Sequence, residues 1–448
     1  MTEEIFVRSQ TPGDGRRLRL VPPLFAPEDA HLAGPGNPLL PQGVSGACDP
    51  HFSSAVKAFA KLFPGPGYGG GALAVYLHGR PVVDVWTGFA DREGTQPWTA
   101  DTGALAFSST KGLTSTVVHR LVDRGLLSYD EPVAAFWPDF GANGKSDLTV
   151  RDILAHRAGL SRMRDITVTE LLDTHLMEGR LAAARADHLV GKSAYHALTY
   201  GWLLSGLVRA VTGHGMRRLF RSELAEPLNT DGIHLGRPPL SAPTTAAQTL
   251  LPQGPATNSL FDFAAPKLAI LPLSGMLQAL HVPGVLGLLQ GEMQFLDAEI
   301  PSANGVLTAR AVARMYGAIA NGGRIDDRQF LSNDVARGLA GRRSYRPDAN
   351  VVVPMSFHLG YHATSIPGLL PGFGHSGLGG SVGWADPKTG ASFAFIHNRF
   401  ITRKVLDQAS FAGLSPLLRR AVANATKHGV TCAVGDFGAE AISLQHEL

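Results

Sequence analysis

The sequence predicts an α+β fold in which an antiparallel sheet, flanked by helices, is assembled from both ends of the chain around an inserted, mainly helical region. Three observations carry this expectation. From Gly69, the stretch GGGALAVYLHGRPVVDVWTGFAD reads as two apolar strands joined at His78-Gly79-Arg80, and an early hairpin favours antiparallel pairing over βαβ winding. From about 131 to 300, helical patterns dominate and strand signals are few. Strand-like runs then return in GHSGLGGSVGWADP and ASFAFIHNRF, joined by Asp386-Pro387-Lys388-Thr389-Gly390, whose residue types favour a tight turn.

Residues 1–50 are rich in Pro, Gly and Arg without a clear period, and read as an extension that wraps the surface or stays loose. In SSTKGLTSTVVHRLVDRG, Leu113, Val117 and Leu121 fall at i, i+4 and i+8, so a helix is expected, with Gly125 ending it. Thr149 caps a second helix in LTVRDILAHRAGL, and residues 196–211, HALTYGWLLSGLVRAV, form a third. After Ser302 comes a capped helix, LTARAVARMYGAIA, closed by Asn321-Gly322-Gly323, and a last helical segment covers about 401–425. The chain thus divides into the extension 1–50 and one domain over 51–448. Its sheet half covers about 51–130 and 301–448, and its insertion about 131–300.

Composition narrows the function. At 448 residues with 44% hydrophobic and 17% charged residues, the chain has ample apolar mass for a core and is not a disordered chain. A net charge of +3 argues against a nucleic-acid binder held by phosphate contacts. Cys48 and Cys432 are the only cysteines, which excludes a disulfide scaffold and a cysteine zinc site. The N-terminus has no apolar stretch behind a basic start, so a cytoplasmic protein is expected. Leu268 to Gly291 is a run of 24 residues without Asp, Glu, Lys or Arg. Pro272, Pro283 and several glycines interrupt it, which suits pocket-lining helices or a peripheral membrane contact better than a spanning helix.

Ser108-Ser109-Thr110-Lys111 is the first candidate for chemistry. A nucleophilic serine needs a base close by, and Ser108 and Lys111, three apart at a helix start, share one face. Burial would lower the lysine's pKa and leave an amine able to take the serine proton. By itself Ser-x-x-Lys is a weak signal. Gly379-Gly380-Ser381-Val382-Gly383 also fits a nucleophile-elbow pattern, but Trp384-Ala385-Asp386-Pro387 follows and cannot start the helix that the elbow requires. His358 and His362 have the i, i+4 spacing of a zinc-binding helix, but Gly360 lies between them and no His-Glu-x-x-His is present, so they read as structural or pocket residues. His156 reads as a core histidine.

Six segments in order raise the weight of Ser108: the hairpin GALAVYLHGRPVVDVWTGFAD, then SSTKGLTSTVVHRLVDRGLL, LTVRDILAHRAGL, YHALTYGWLL, PSANGVLTAR and GHSGLGGSVGWADP. Over about residues 65–400 this set resembles the serine β-lactamase and penicillin-binding-protein superfamily, in particular its class C-like members and the family VIII carboxylesterases. The resemblance implies a β-lactamase-like fold with the active site in a cleft between sheet and insertion. It implies Ser108 as acylated nucleophile, Lys111 as its base partner and Tyr195 as the tyrosine of the family's Tyr-x-Asn motif, with Tyr200 as the competing tyrosine. A phenolate on Tyr195 would be favoured beside a lysine ammonium, so that the pair shares one proton. For the family's Lys-Thr-Gly strand, Lys388-Thr389-Gly390 is a literal match in a turn. Segment order instead puts His375-Ser376-Gly377 at the cleft for substrate binding, and the N–H groups of Ser108 and Leu378 form the oxyanion hole.

Two departures bear on substrate. Ala197 stands where the family has asparagine, and His375 where it has a lysine. Both weaken the case for β-lactams and cell-wall peptides, and both tolerate an uncharged ester. The expected function is therefore a carboxylesterase-type serine hydrolase acting on a small-molecule ester or lipid, without metal or cofactor and without nucleic-acid partners. A β-lactamase or D,D-peptidase is the alternative enzyme, and a non-catalytic binding relative the alternative outside enzymes.

Overall fold

A computed structural model describes residues 40–162, 166–251, 293–341, 345–351, 355–363, 366–399 and 410–429. The expected hairpin is present as β2 (Gly70–Leu77) and β3 (Arg80–Gly88), with His78 and Gly79 in the turn. Residues 44–48, which the sequence places in a loose extension, instead form an edge strand, β1 (Val44–Cys48), antiparallel to β3. The folded unit thus begins before residue 51.

After a two-stranded ribbon of β8 (Arg324–Ile325) and β9 (Arg328–Gln329), the C-terminal strands close on the same sheet. They are β10 (Ser356–His358), β11 (Tyr361–Ala363), β12 (Phe373–Ser376), β13 (Val382–Asp386) and β14 (Ala391–His397), and β14 lies antiparallel to β2. The eight strands run in the order β1-β3-β2-β14-β13-β12-β11-β10. Alternation sorts their side chains onto two faces. Leu73, Val75, Leu77, Phe393 and Phe395 pack with Phe52, Val56 and Phe59, together with Leu414, Leu418 and Val422 of the C-terminal helix Ser410–His428. Ala72, Ala74, Ala394 and Ile396 join the opposite core with the helices Thr110–Asp123 and Ala309–Ala320.

Local signals set these helices as expected. Thr308 caps Ala309–Ala320 by accepting from Ala311 N–H, Thr149 and Asp152 form a reciprocal capping box, and Gly125 at φ +70° follows the end of the Thr110–Asp123 helix. The third helix begins at Thr199 rather than 196, which leaves Tyr195 in the loop before it. The last helix covers Ser410–His428, and the start of the expected 401–425 segment lies outside the described residues.

A second, four-stranded sheet went unread. It joins β4 (Thr102–Leu105), β5 (Ile233–Leu235), β6 (Thr245–Ala246) and β7 (Gly305–Leu307) in the order β5-β7-β4-β6. Its strands are too short to show a period, yet it brings the entry and exit of the insertion together. β4 leads into the Ser108 helix, and β7 lies antiparallel to it. The apolar run 268–291 lies outside the described residues. Among the described residues no helix is long and apolar enough to cross a membrane.

One charged pair ties the sheet to its helix layer. Arg310 Nε donates to Asp84 Oδ2 at 2.6 Å, with the two side chains 14% and 4% exposed. Burial pushes the Asp84 carboxyl up from its ordinary pKa, and Arg310 opposes that shift. Arg310→Met removes the partner and leaves the carboxyl buried, so unfolding in urea should show a loss of about 3–5 kcal/mol. A loss below about 1 kcal/mol would mean that the pair does not hold the layers together.

Candidate active site

Leu105 ends β4, and the chain turns at Phe107, a non-glycine residue held at φ +46°. Such a conformation costs on the order of 1–3 kcal/mol and persists only where its surroundings impose it. Here it delivers Ser108 to the start of the Thr110–Asp123 helix, whose Leu113, Val117, Val118 and Leu121 are all fully buried. Lys111, on the first turn, is fully buried too. Its Nζ lies 3.0 Å from Ser108 Oγ and donates to the Ser302 carbonyl at 2.9 Å. Desolvation alone holds the Lys111 pKa well below its ordinary value, and no carboxylate contributes.

Tyr195 closes the third side. Its hydroxyl is hydrogen-bonded with Ser108, and its ring lies 5.1 Å from Lys111 Nζ and stacks on Phe357 at 5.5 Å. Burial raises the phenol's pKa, the bond with Ser108 lowers it, and the nearby Asp348 charge raises it again. The expected phenolate beside an ammonium is therefore reversed. Water is excluded from both groups, so the favoured pair is a neutral amine and a neutral phenol. Tyr200, the competing tyrosine, hydrogen-bonds Ser115 at 2.6 Å further along the helix.

His375 and Ser376 lie on β12, next to β13, with Gly377 just beyond. The His375 ring is 6.2 Å from that of Tyr195 and 4.9 Å from that of His362. Burial is the main cause of a pKa well below the usual histidine range, with His362 and Lys111 adding to it and a hydrogen bond with the Ser376 carbonyl opposing it. The ring is neutral at pH 7 and offers no cation for a substrate carboxylate. Ser376 N–H donates to His362 Nε2 at 3.0 Å, and Gly377 N–H to the Ser381 carbonyl at 2.7 Å. Ser109 ties this strand end to the serine turn, because its Oγ donates to the Ser381 carbonyl at 2.8 Å. Among the described residues no acceptor takes the Leu378 N–H, and the Leu378 side chain is 39% exposed. Lys388 is exposed in its turn, and Ser381 is buried, with its carbonyl taken by Ser109 Oγ and Gly377 N–H. His156, His196 and His375 lie near Lys111, and His362 lies beside His375, yet among the described residues no cluster of His, Cys, Asp and Glu is arranged to hold a metal.

Ser302 went unread as a site residue, although its segment PSANGVLTAR is one of the six. Its carbonyl binds Lys111, while its Oγ donates to the Leu198 carbonyl at 2.6 Å and accepts from Gly201 N–H at 2.6 Å. A Cβ on Gly201 would lie 2.4 Å from Ser302 N. Gly201→Ala must therefore displace the carbonyl that anchors Lys111. Unfolding in urea should show a loss of about 1–3 kcal/mol, as for other overpacked core positions. Unchanged stability would show that the contact between Gly201 and Ser302 is loose enough to take a methyl group.

Comparison with known proteins places this geometry in a family. The beta-lactamase family model matches residues 54–414. The esterase/beta-lactamase LipL of Mycobacterium tuberculosis (strain ATCC 25618 / H37Rv) is 58% identical over 398 residues, 88% of this chain and 92% of that protein. Among solved structures, a family VIII carboxylesterase aligns with TM-score 0.71 and 29% identity over 86% of this chain and 99% of its own. A novel penicillin-binding protein homologue from Caulobacter crescentus aligns with TM-score 0.69 and 31% identity over 85% of this chain and 99% of its own. A serine at a helix start, a buried lysine one turn on and an antiparallel sheet closing beside them thus stand in a chain that belongs to the beta-lactamase family of serine hydrolases.

Proposed function

We propose that the protein hydrolyses uncharged carboxylic esters, small-molecule or lipid, through an acyl-enzyme on Ser108. The observation that carries this reading is the buried Lys111 amine, 3.0 Å from Ser108 Oγ and without a carboxylate to hold it charged. Its lone pair takes the Ser108 proton as Oγ attacks the ester carbonyl. The oxyanion rests on the N–H groups of Ser108 and Leu378. As the C–O bond breaks, the Tyr195 hydroxyl protonates the leaving alkoxide and regains a proton from the Lys111 ammonium. Water then attacks the acyl carbon, passing its proton to the same pair, and Ser108 leaves protonated. Each step uses only side chains and backbone of this chain.

Ala197 and the neutral His375 support an ester over a β-lactam. Alanine offers no amide to an amide carbonyl, and the imidazole offers no fixed charge to a carboxylate. The Mycobacterium tuberculosis relative is named for both esterase and beta-lactamase, so β-lactam hydrolysis is the second reading. Ser108→Ala should lose on the order of 10³-fold or more of p-nitrophenyl ester turnover and all labelling by a fluorophosphonate. Retained labelling would remove Ser108 as nucleophile. Nitrocefin turnover by the wild type equal to ester turnover would favour the second reading.

The lysine's environment sets the pH dependence. Protonated Lys111 has no lone pair, so kcat/KM should rise with pH as the amine deprotonates and level off above that midpoint. Desolvation places the midpoint well below 10.5. Lys111→Arg should be inactive at every pH, because a guanidinium does not deprotonate in proteins. An acid limb centred near 10.5, or an active arginine variant, would contradict the neutral-amine mechanism.

A further inference from the structure

Tyr195 sits in a loop rather than on a helix, so something must hold its hydroxyl against Ser108. Residues 348–351 and Phe357, far along the chain, supply the hold. Asp348 is 1% exposed, and its Oδ1 accepts from Tyr195 N–H at 3.0 Å, Asn350 N–H at 2.9 Å and Val351 N–H at 3.1 Å. Its Oδ2 accepts from Ser193 Oγ at 2.7 Å. Asn350 Nδ2 donates to the Tyr195 carbonyl at 3.0 Å, so both backbone polar groups of Tyr195 are claimed by this one segment. Val351 and Phe357 pack against the ring.

We propose that Asp348 is a positioning residue for Tyr195: its buried carboxylate grips the Tyr195 backbone and fixes the phenol where it protonates the leaving alcohol. This rests on the role given to Tyr195 above. The Asp348 charge also disfavours the phenolate, which keeps a proton on the group that must donate one. The placement is indirect, since Asp348 holds the backbone of the acid and takes no proton in the reaction.

The role predicts a dependence on leaving group that a general loss of structure would not produce. An alkoxide needs a proton to leave and p-nitrophenolate does not. Acylation rates, read as kcat/KM per fluorophosphonate-titrated site, would be compared on ethyl butyrate and p-nitrophenyl butyrate for wild type, Asp348→Asn, Tyr195→Phe and the double variant. Asp348→Asn should lose about 10- to 100-fold on the ethyl ester, the scale of misplacing a general acid, and at least fivefold less on the p-nitrophenyl ester. In the Tyr195→Phe background it should add less than twofold, because residues that act through one group are not additive. Asn350→Ala, which removes the carbonyl bond and a 3.4 Å bond from Arg162 Nη2 but leaves the Asp348 carboxylate in place, should show the same leaving-group dependence to a smaller degree and serves if Asp348→Asn does not fold. Equal losses on both esters for Asp348→Asn, or an undiminished loss in the phenylalanine background, would overturn the positioning role while leaving the Tyr195 reading intact. Equal losses on both esters for Tyr195→Phe would overturn that reading, and the positioning role with it.

Discussion

The site depends on removing water from one amine. A lysine ammonium in solvent has no lone pair to offer a serine, and a nearby carboxylate would keep it charged. Lys111 is fully buried and its pKa shift has desolvation as sole cause. Its hydrogen-bond partners, Ser108 Oγ and the Ser302 carbonyl, satisfy a neutral amine without forcing a charge upon it. The imidazoles nearby add no charge: burial holds His375 and His156 neutral, and a cation at Lys111 would lower their pKa values further. The low-dielectric environment that keeps the amine neutral also keeps the Tyr195 phenol protonated, so both groups are held uncharged by one cause.

That burial is a property of the whole architecture. The sheet delivers Ser108 through the short strand β4 and the strained turn at Phe107, while β7 returns the chain from the insertion and lays Ser302 against the lysine. Tyr195 comes from within the insertion and is held by residues that follow it by about 150 positions. β12 comes from the C-terminal half and is tied to the serine turn through Ser109. No single stretch of the sequence contains an environment able to shift the lysine.

The parts legible in the sequence are those whose meaning is local. Ser108 and Lys111 share one helical turn, and the hairpin, the Thr149 and Thr308 caps and the Asp386–Gly390 turn each carry a short-range signal. Tyr195 and His375 were readable only from the order of segments, because nothing adjacent to either marks it. β1 was missed because VSGAC is a short run of mostly small residues, and its pairing with β3 depends on a strand elsewhere. Ser302 acts through its backbone carbonyl, which every residue has, and Asp348 lies in an irregular stretch without a period. The phenolate expectation failed for a related reason. Proximity of lysine and tyrosine is visible in a motif, but the exclusion of water from both is a property of their packing.

The carbonyl that binds Lys111 belongs to a residue 191 positions further along the chain. A nascent polypeptide emerging from the ribosome therefore carries its serine and lysine long before anything can strip the amine of solvent. Until β7 docks beside β4, that lysine titrates like any exposed side chain and the serine stays an ordinary alcohol. The solvent-free setting that keeps the amine neutral thus forms only with completed folding.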